Sequence, residues 1–321
     1  MSAALAAALA LAVGGSPLPP LPPTPKRPVV DRIQGVEVKD DYRWLEDGAS
    51  PEVAAWSAAQ DARTRAWLSR LPAAAAIRAR ARELVATAPA RYQRLREAGG
   101  ALFALKHAPP LQQPLVVILP PGADPAAERV VVDPNAIDPS GATTIDFFVP
   151  SPDGALVAVS LSRNGTEDGT LHVYEAATGR ERPDRIARVN GGTAGGSVAW
   201  DAGGAGFWYT RYPRDGERPA ADLPFFQQVW YHRLGAPEAE DAYALGKDYE
   251  DPRIAESALQ SSDDGRFTLC LVEKGDGGEF EAWLRGPWGG FARLAATADG
   301  VFGGRFGPDG TLWLLSRKDA P

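Results

Sequence analysis

Ser151-Pro152-Asp153-Gly154-Ala155-Leu156-Val157-Ala158-Val159 is a turn that feeds directly into a short apolar run. Asp-Gly supplies the positive φ that joins antiparallel strands, and an apolar run bounded by such a turn reads as a buried strand. The wording returns at Ser262-Asp-Asp-Gly265 before Arg266-Phe-Thr-Leu-Cys-Leu271, and at Gly307-Pro-Asp-Gly310 before Thr311-Leu-Trp-Leu-Leu315. Gly100 precedes Ala101-Leu-Phe-Ala-Leu105, and Gly204 stands just ahead of Gly206-Phe-Trp-Tyr209. The steps between these five turn glycines are 54, 50, 61 and 45 residues. The second halves of the units repeat too, as Leu171-His-Val-Tyr174 before Ala177-Thr-Gly179 and as Val229-Trp-Tyr-His232 before Leu234-Gly235.

A period of roughly 50 residues with about four strands per unit predicts propeller blades, since one four-stranded sheet cannot bury both faces and must stack on neighbours. Residues 91–321 supply four units and the opening strands of a fifth. A ring of seven such blades would need about 350 residues. The chain stops at Arg317-Lys-Asp-Ala-Pro321, immediately after an apolar strand, and a truncation is the expectation. The fold class is therefore mainly β: an incomplete β-propeller of four-stranded antiparallel blades preceded by an α-helical N-terminal segment.

Composition agrees. Of 321 residues 44% are apolar, enough for a sizeable core, and 34 glycines, 29 prolines and nine tryptophans suit a turn-rich β protein better than a helical bundle. Lys and Arg total 34 against 41 Asp and Glu, a net charge of -7 without a basic block, which argues against nucleic acid as a partner. Cys270 is the single cysteine, which excludes an internal disulfide and any thiolate-rich metal site built by this chain alone. Charge is also uneven: residues 1–90 carry 11 basic and 9 acidic groups, against 23 and 32 in the remainder.

Ahead of the repeats, Ala3 to Val13 form a small-apolar run followed by the proline-rich stretch Pro17 to Pro28. The run resembles a secretory signal peptide, although no Lys or Arg precedes Lys26; a disordered alanine-rich tail is the alternative. It is too short to span a bilayer, so no membrane span is expected. A periplasmic or secreted location follows from the first reading and a cytoplasmic one from the second. Ser50 is placed to cap a helix starting at Pro51, with Glu52 in the first turn and Val53, Trp56, Ala59, Ala66 and Trp67 on one face up to Pro72. A second helix is predicted over 73–88, closed by Pro89. The Trp56 and Trp67 face needs a partner, either the β region or something outside this chain. The organisation expected is thus 1–23 signal peptide and linker, 24–90 helical segment and 91–321 partial propeller.

Val30-Asp31, Gly35-Val36, Asp40-Asp-Tyr-Arg-Trp-Leu-Glu-Asp47, Ser50-Pro-Glu-Val53, Trp56 and Gln60 resemble the opening of the prolyl oligopeptidase family of serine peptidases. Weaker matches follow in order. They are Val131-Val-Asp-Pro-Asn135, where the family more often has leucine before Asp-Pro-Asn, then Ser151-Pro-Asp-Gly154, Tyr209-Thr-Arg-Tyr-Pro213, Tyr231-His232 with Leu234-Gly235, and Asp263-Asp-Gly265. The resemblance runs from about residue 24 to the end. It implies an N-terminal segment that packs on an α/β-hydrolase domain in cis, and a seven-bladed propeller inserted between that segment and the rest of the hydrolase. It also implies hydrolysis of short peptides after proline, with the propeller gating access of the oligopeptide substrate. The last blades and most of the hydrolase would then lie beyond Pro321.

No chemistry of that kind is legible in this chain. A hydrolase of that fold needs a Gly-x-Ser-x-Gly elbow followed by an acid and a histidine. The nearest string, Gly195-Gly-Ser-Val-Ala199, lacks the last glycine and runs into a strand, which makes Ser197 a blade residue rather than a nucleophile. His107, His172 and His232 sit in separated β-like runs with no Cys or carboxylate at ligand spacing, and read as structural or surface histidines. Asn164-Gly-Thr166 reads as a turn, and Cys270 as a buried, inert thiol in an apolar strand. Asp40, Asp41, Glu46 and Asp47 read as an ion-paired or solvated turn, and Glu238, Glu240, Asp241, Asp248, Glu250 and Asp251 as a solvated loop. No catalytic, cofactor-binding or metal-binding residue is assigned, and no cofactor is expected. The alternative to a peptidase portion is a non-catalytic propeller scaffold that binds peptides or proteins through its blade loops.

Overall fold

The computed structural model describes residues 20–122, 124–191, 195–275 and 278–319. The apolar run from Ala3 to Val13 lies outside them. The chain divides into two compact units, residues 1–88 and 89–321.

In the first unit β1 (Val29–Ile33) and β2 (Val36–Asp40) form a hairpin through Gln34 and Gly35, and a single 3-10 turn, Arg43–Glu46, leads to α1 (Pro51–Leu68) and α2 (Ala74–Ala86). Pro51 occupies the first helical position as expected, but Ser50 makes no side-chain capping bond; its backbone carbonyl accepts from Ala54, and Asp47 Oδ1 takes the Ala49 amide at 3.2 Å. The first helix ends four residues before Pro72, because Arg70 and Leu71 donate to carbonyls three residues back and tighten the chain into a turn. The acidic turn is ion-paired: Arg43 meets Asp31 and Asp40, while Asp41 meets Lys39 at 3.0 Å and Lys26 at 3.2 Å. Trp56 finds a partner within its own unit. Its Nε1 donates to Thr24 Oγ1 at 2.9 Å, Trp44 lies edge-on at 6.4 Å, and Trp44 Nε1 donates to the Pro25 carbonyl. Trp67, Ile77, Leu84 and Val85 stay exposed.

The second unit contains four four-stranded antiparallel sheets in simple sequential order. Blade one is β3 (Arg91–Ala98), β4 (Ala101–His107), β5 (Leu115–Leu119) and β6 (Arg129–Val132); blade two is β7 (Thr143–Pro150), β8 (Leu156–Arg163), β9 (Gly169–Glu175) and β10 (Glu181–Asn190). Blade three is β11 (Val198–Trp200), β12 (Gly206–Arg211), β13 (Gln228–Arg233) and β14 (Ala242–Leu245). Blade four is β15 (Ala255–Ser261), β16 (Thr268–Lys274), β17 (Glu281–Arg285) and β18 (Phe291–Ala295). The pair β19 (Val301–Phe306) and β20 (Leu312–Ser316) opens a fifth, with Trp313 and Leu315 exposed on it. Four blades and the first hairpin of another make the incomplete propeller that the repeat predicts.

Strand alternation does the stacking. Val157 and Val159 of β8 enter the core shared with Phe103, Leu105 and Val116 of blade one, whereas Ala158 between them enters the core shared with Trp200, Phe207 and Tyr209 of blade three. Trp208, between Phe207 and Tyr209, turns the other way and packs with Cys270, Val272 and Trp283 of blade four. Each interior sheet thus sends odd and even residues into different interfaces.

First strands of neighbouring blades are hydrogen-bonded across the gap between sheets. Arg94 of β3 donates to the Asp146 carbonyl of β7 at 2.5 Å, and Trp200 Nε1 of β11 to the Val149 carbonyl of β7 at 3.1 Å. Ser197, just before β11, receives the Leu259 amide of β15 at 3.0 Å, and Ser261 donates to the Trp200 carbonyl at 2.8 Å. The repeated turns explain their own wording. Ser151 Oγ donates to Asp153 at 2.6 Å and receives the Leu156 amide at 2.9 Å; Ser262, Asp264 and Phe267 repeat these contacts at 2.6 and 3.0 Å. The strands therefore start at Leu156 and Thr268, slightly later than the apolar runs suggest.

Gly265, at φ +66°, lies so close to blade three that a Cβ would stand 2.7 Å from Ala202 backbone atoms, whereas Gly204, at φ +61°, has open space. Both substitutions to alanine carry left-handed strain of about 1–3 kcal/mol, but only Gly265→Ala also collides with a neighbouring blade. We expect Gly265→Ala to lower the thermal midpoint clearly more than Gly204→Ala; equal losses would contradict the blade contact.

Candidate functional site

The residues that the sequence offers as chemical candidates are dispersed through the blades. Ser197 Oγ donates to the Ser257 carbonyl at 3.2 Å while receiving Leu259, so its hydroxyl is consumed between blades three and four. Cys270 is fully buried, 3.6 Å from Tyr249 Oη, and burial pushes its thiol up to about 12. Asn164 and Gly165 form an exposed turn with φ of 56° and 68° between β8 and β9. His172 Nδ1 meets Glu181 Oε1 at 2.7 Å, a carboxylate also held by Arg185. Among the described residues no group of three or more His, Cys, Asp or Glu side chains is arranged to hold a metal ion.

His232 is structural, as expected, but it is held by charge as well as by packing. It is 1% exposed, and two carboxylates converge on it: Asp241 Oδ1 on Nδ1 at 2.7 Å, and Asp184 Oδ1, from β10 of blade two, on Nε2 at 3.2 Å. The second acidic stretch is therefore no uniformly solvated loop, because the Asp241 side chain is buried and also accepts from Tyr209 Oη at 2.6 Å. Asp184 further accepts from Arg182 Nε at 3.2 Å and from the Gly235 amide. An imidazole flanked by acceptors on both nitrogens satisfies both only as imidazolium. Burial opposes that charge, yet the hydrogen bonds and charges of Asp241 and Asp184 outweigh it and raise the His232 pKa above its ordinary value. Burial likewise opposes the Asp184 charge, but the Gly235 amide, His232 and Arg182 hold its carboxyl below the usual range. The sequence carried a signal for this. His172 and Glu181, like His232 and Asp241, are nine residues apart across a hairpin of the same kind in successive blades.

A His-carboxylate pair also belongs to hydrolase triads, but this one has no serine or cysteine on its free side. Its second nitrogen is closed by another carboxylate, and Phe207 lies 5.3 Å from the ring. The arrangement ties blade two to blade three rather than moving a proton to substrate. Two openings flank blade three. One, of about 220 Å³, lies beside Arg211, which stacks 4.4 Å from Trp230 and pairs with Glu217 at 2.7 Å. The other, of about 850 Å³, lies between blades three and four around Trp208, Tyr231 and Arg285.

The ion triad has a pH window. Because the folded His232 pKa is raised, its contribution is complete below the unfolded value near 6.5 and fades as pH climbs through the folded value; the lowered Asp184 pKa removes its share only as pH falls below the ordinary carboxylate value of about 3.9. Thermal melts from pH 6 to 9 should therefore show wild-type stability declining relative to His232→Gln. Parallel curves for the two proteins would refute the charged lock.

The family described as "Prolyl oligopeptidase, N-terminal beta-propeller domain" matches residues 22–285. A prolyl endopeptidase of Elizabethkingia meningoseptica is 24% identical over 296 residues, covering 91% of this chain and 40% of the relative. Prolyl oligopeptidase A of Galerina marginata is 24% identical over 274 residues, 78% of this chain and 36% of its own length. Among solved structures, one from a mechanistic study of two prolyl endopeptidases aligns with a TM-score of 0.72 at 25% identity, covering 85% of this chain and 39% of that one. Prolyl oligopeptidase B of Galerina marginata, bound to a 35mer substrate, shares the fold with a TM-score of 0.64 at 20% identity, over 86% of this chain and 39% of its own. This chain spans about 40% of the first of these curated relatives. With the family's propeller domain matched across most of its length and the blades in place, the chain belongs to the prolyl oligopeptidase family and carries that family's N-terminal β-propeller domain.

Proposed function

We propose that this chain is the propeller-bearing N-terminal portion of a serine peptidase that hydrolyses short peptides after proline. In this reading the nucleophile, its histidine and its acid reside in an α/β-hydrolase domain of the same polypeptide. The observation that carries the reading is the family match across residues 22–285, in a region where Ser197 and His232 are both committed to contacts between blades. Unburied apolar surface supports it. Ile77, Leu84 and Val85 on α2 and Trp67 on α1 find no cover in their own unit, as expected of helices that pack on a catalytic domain. Trp313 and Leu315, exposed on the fifth hairpin, are what a further blade would cover. In this reading the propeller gates access: a ring completed by further blades would surround a passage that admits an extended oligopeptide and turns away a folded protein. A periplasmic or secreted site of action goes with Ala3 to Val13 acting as a signal peptide, and N-terminal sequencing of the mature protein would decide it.

Activity is the test. Full-length protein should be labelled by a fluorophosphonate probe at a serine outside residues 1–321 and should cleave a chromogenic peptide after proline, while the 321-residue chain stays unlabelled. Labelling of Ser197 or another serine within these residues would overturn the reading. Full-length protein that neither labels nor cleaves would favour the peptide-binding scaffold.

A further inference from the structure

The 850 Å³ cleft between blades three and four opens at the β11–β12, β15–β16 and β17–β18 turns, the edge of the sheets opposite the connections between blades. Its floor is aromatic: Trp208, Tyr231 and Phe291 line it, with the first two rings 5.0 Å apart. Trp288, 59% exposed, stands in the β17–β18 turn and packs 6.0 Å from Phe267. Arg285 is half-buried in the cleft with its guanidinium 4.2 Å from the Trp208 ring. Among the described residues it has no hydrogen-bonded or ion-paired partner, whereas the other charges nearby are engaged. Asp201 accepts from Tyr231 Oη at 2.7 Å and from the Ala205 amide at 2.9 Å, Arg266 lies 3.9 Å from Asp264, and Arg233 lies 3.7 Å from Glu240. A half-buried guanidinium held over an indole presents a planar fork of donors, a geometry that suits a carboxylate. The cleft volume falls in the range of small-ligand sites, roughly 300–1,000 Å³.

We propose that this cleft is a docking site for a short acidic peptide segment, with a carboxylate on Arg285 and an adjacent aromatic side chain against Tyr231 and Phe291. Among the described residues Arg285 is thus the one cationic side chain of the cleft lining left without a counter-charge, since Arg266 at the rim faces Asp264. A fluorescein-labelled Phe-Glu-Phe-Glu amide, which lacks proline and so escapes proline-directed cleavage, serves as the probe in fluorescence polarisation with the full chain. We expect it to bind about tenfold tighter than the Phe-Gln-Phe-Gln amide. Arg285→Gln, which keeps much of the stem over Trp208, should abolish that preference without shifting the melting temperature. In the wild-type chain the acidic probe should also slow hydrogen exchange at residues 286–291 and 242–244, a readout that holds even if the variant folds poorly. Equal affinity for the two peptides, affinity unchanged in Arg285→Gln, or a footprint elsewhere would each overturn the proposal.

Discussion

A four-stranded sheet with apolar side chains on both faces has no stable existence alone, and every interior blade here is such a sheet. Val157 and Val159 face one neighbour and Ala158 the other; Phe207 and Tyr209 face one and Trp208 the other. Fully burying each large side chain contributes roughly 1.5–3 kcal/mol, so most of the stabilisation arises between blades rather than within them. Period-two alternation, which in a one-sided sheet separates core from solvent, here separates one interface from the next.

Apolar stacking alone would let blades slide, and the polar contacts fix their relative position. Along the first strands, Arg94, Trp200, Ser197 and Ser261 each bond to backbone of the adjacent blade. Further out, His232 reaches from β13 to Asp184 on β10, and Arg129 of β6 donates to the Ala177 carbonyl of blade two at 2.8 Å. The turn glycines belong to the same scheme, since Gly154 and Gly265 let one hairpin approach the backbone of the preceding one: a Cβ on Gly154 would stand 2.8 Å from the Ala98 carbonyl oxygen. Residues able to do chemistry elsewhere, a serine, a histidine and two aspartates, are held in this stitching.

The blades were legible because their signals are local. Asp-Gly at Gly154, Gly265 and Gly310 and the apolar runs after them are short-range features, and each turn and strand appears where they place it, shifted only where the Ser and Asp side chains hold one or two more residues in the turn. Ser50 illustrates a limit, since a residue of the right type at the right position makes no side-chain capping bond and serves the helix only through its carbonyl, which accepts from Ala54. The Asp184 arm of the His232 cluster and the aromatic cleft were not legible. Asp184 is 48 residues from His232, and Arg285 is 77 from Trp208; both pairs meet only because consecutive blades stack, which no local pattern encodes. Cys270 is buried, as the apolar strand around it already implies.

Native-state hydrogen exchange at the Leu259 amide tests the stitched inner strands most directly. β15 is an edge strand of its sheet, and Leu259 donates outward to Ser197 Oγ of the adjacent blade rather than into its own ladder. An outward amide on an exposed edge would exchange rapidly. If neighbouring blades are locked through their first strands, Leu259 exchanges as slowly as the ladder amides of β16, through the same cooperative opening. Exchange of Leu259 orders of magnitude faster than β16 would show that blades open independently and would contradict this account.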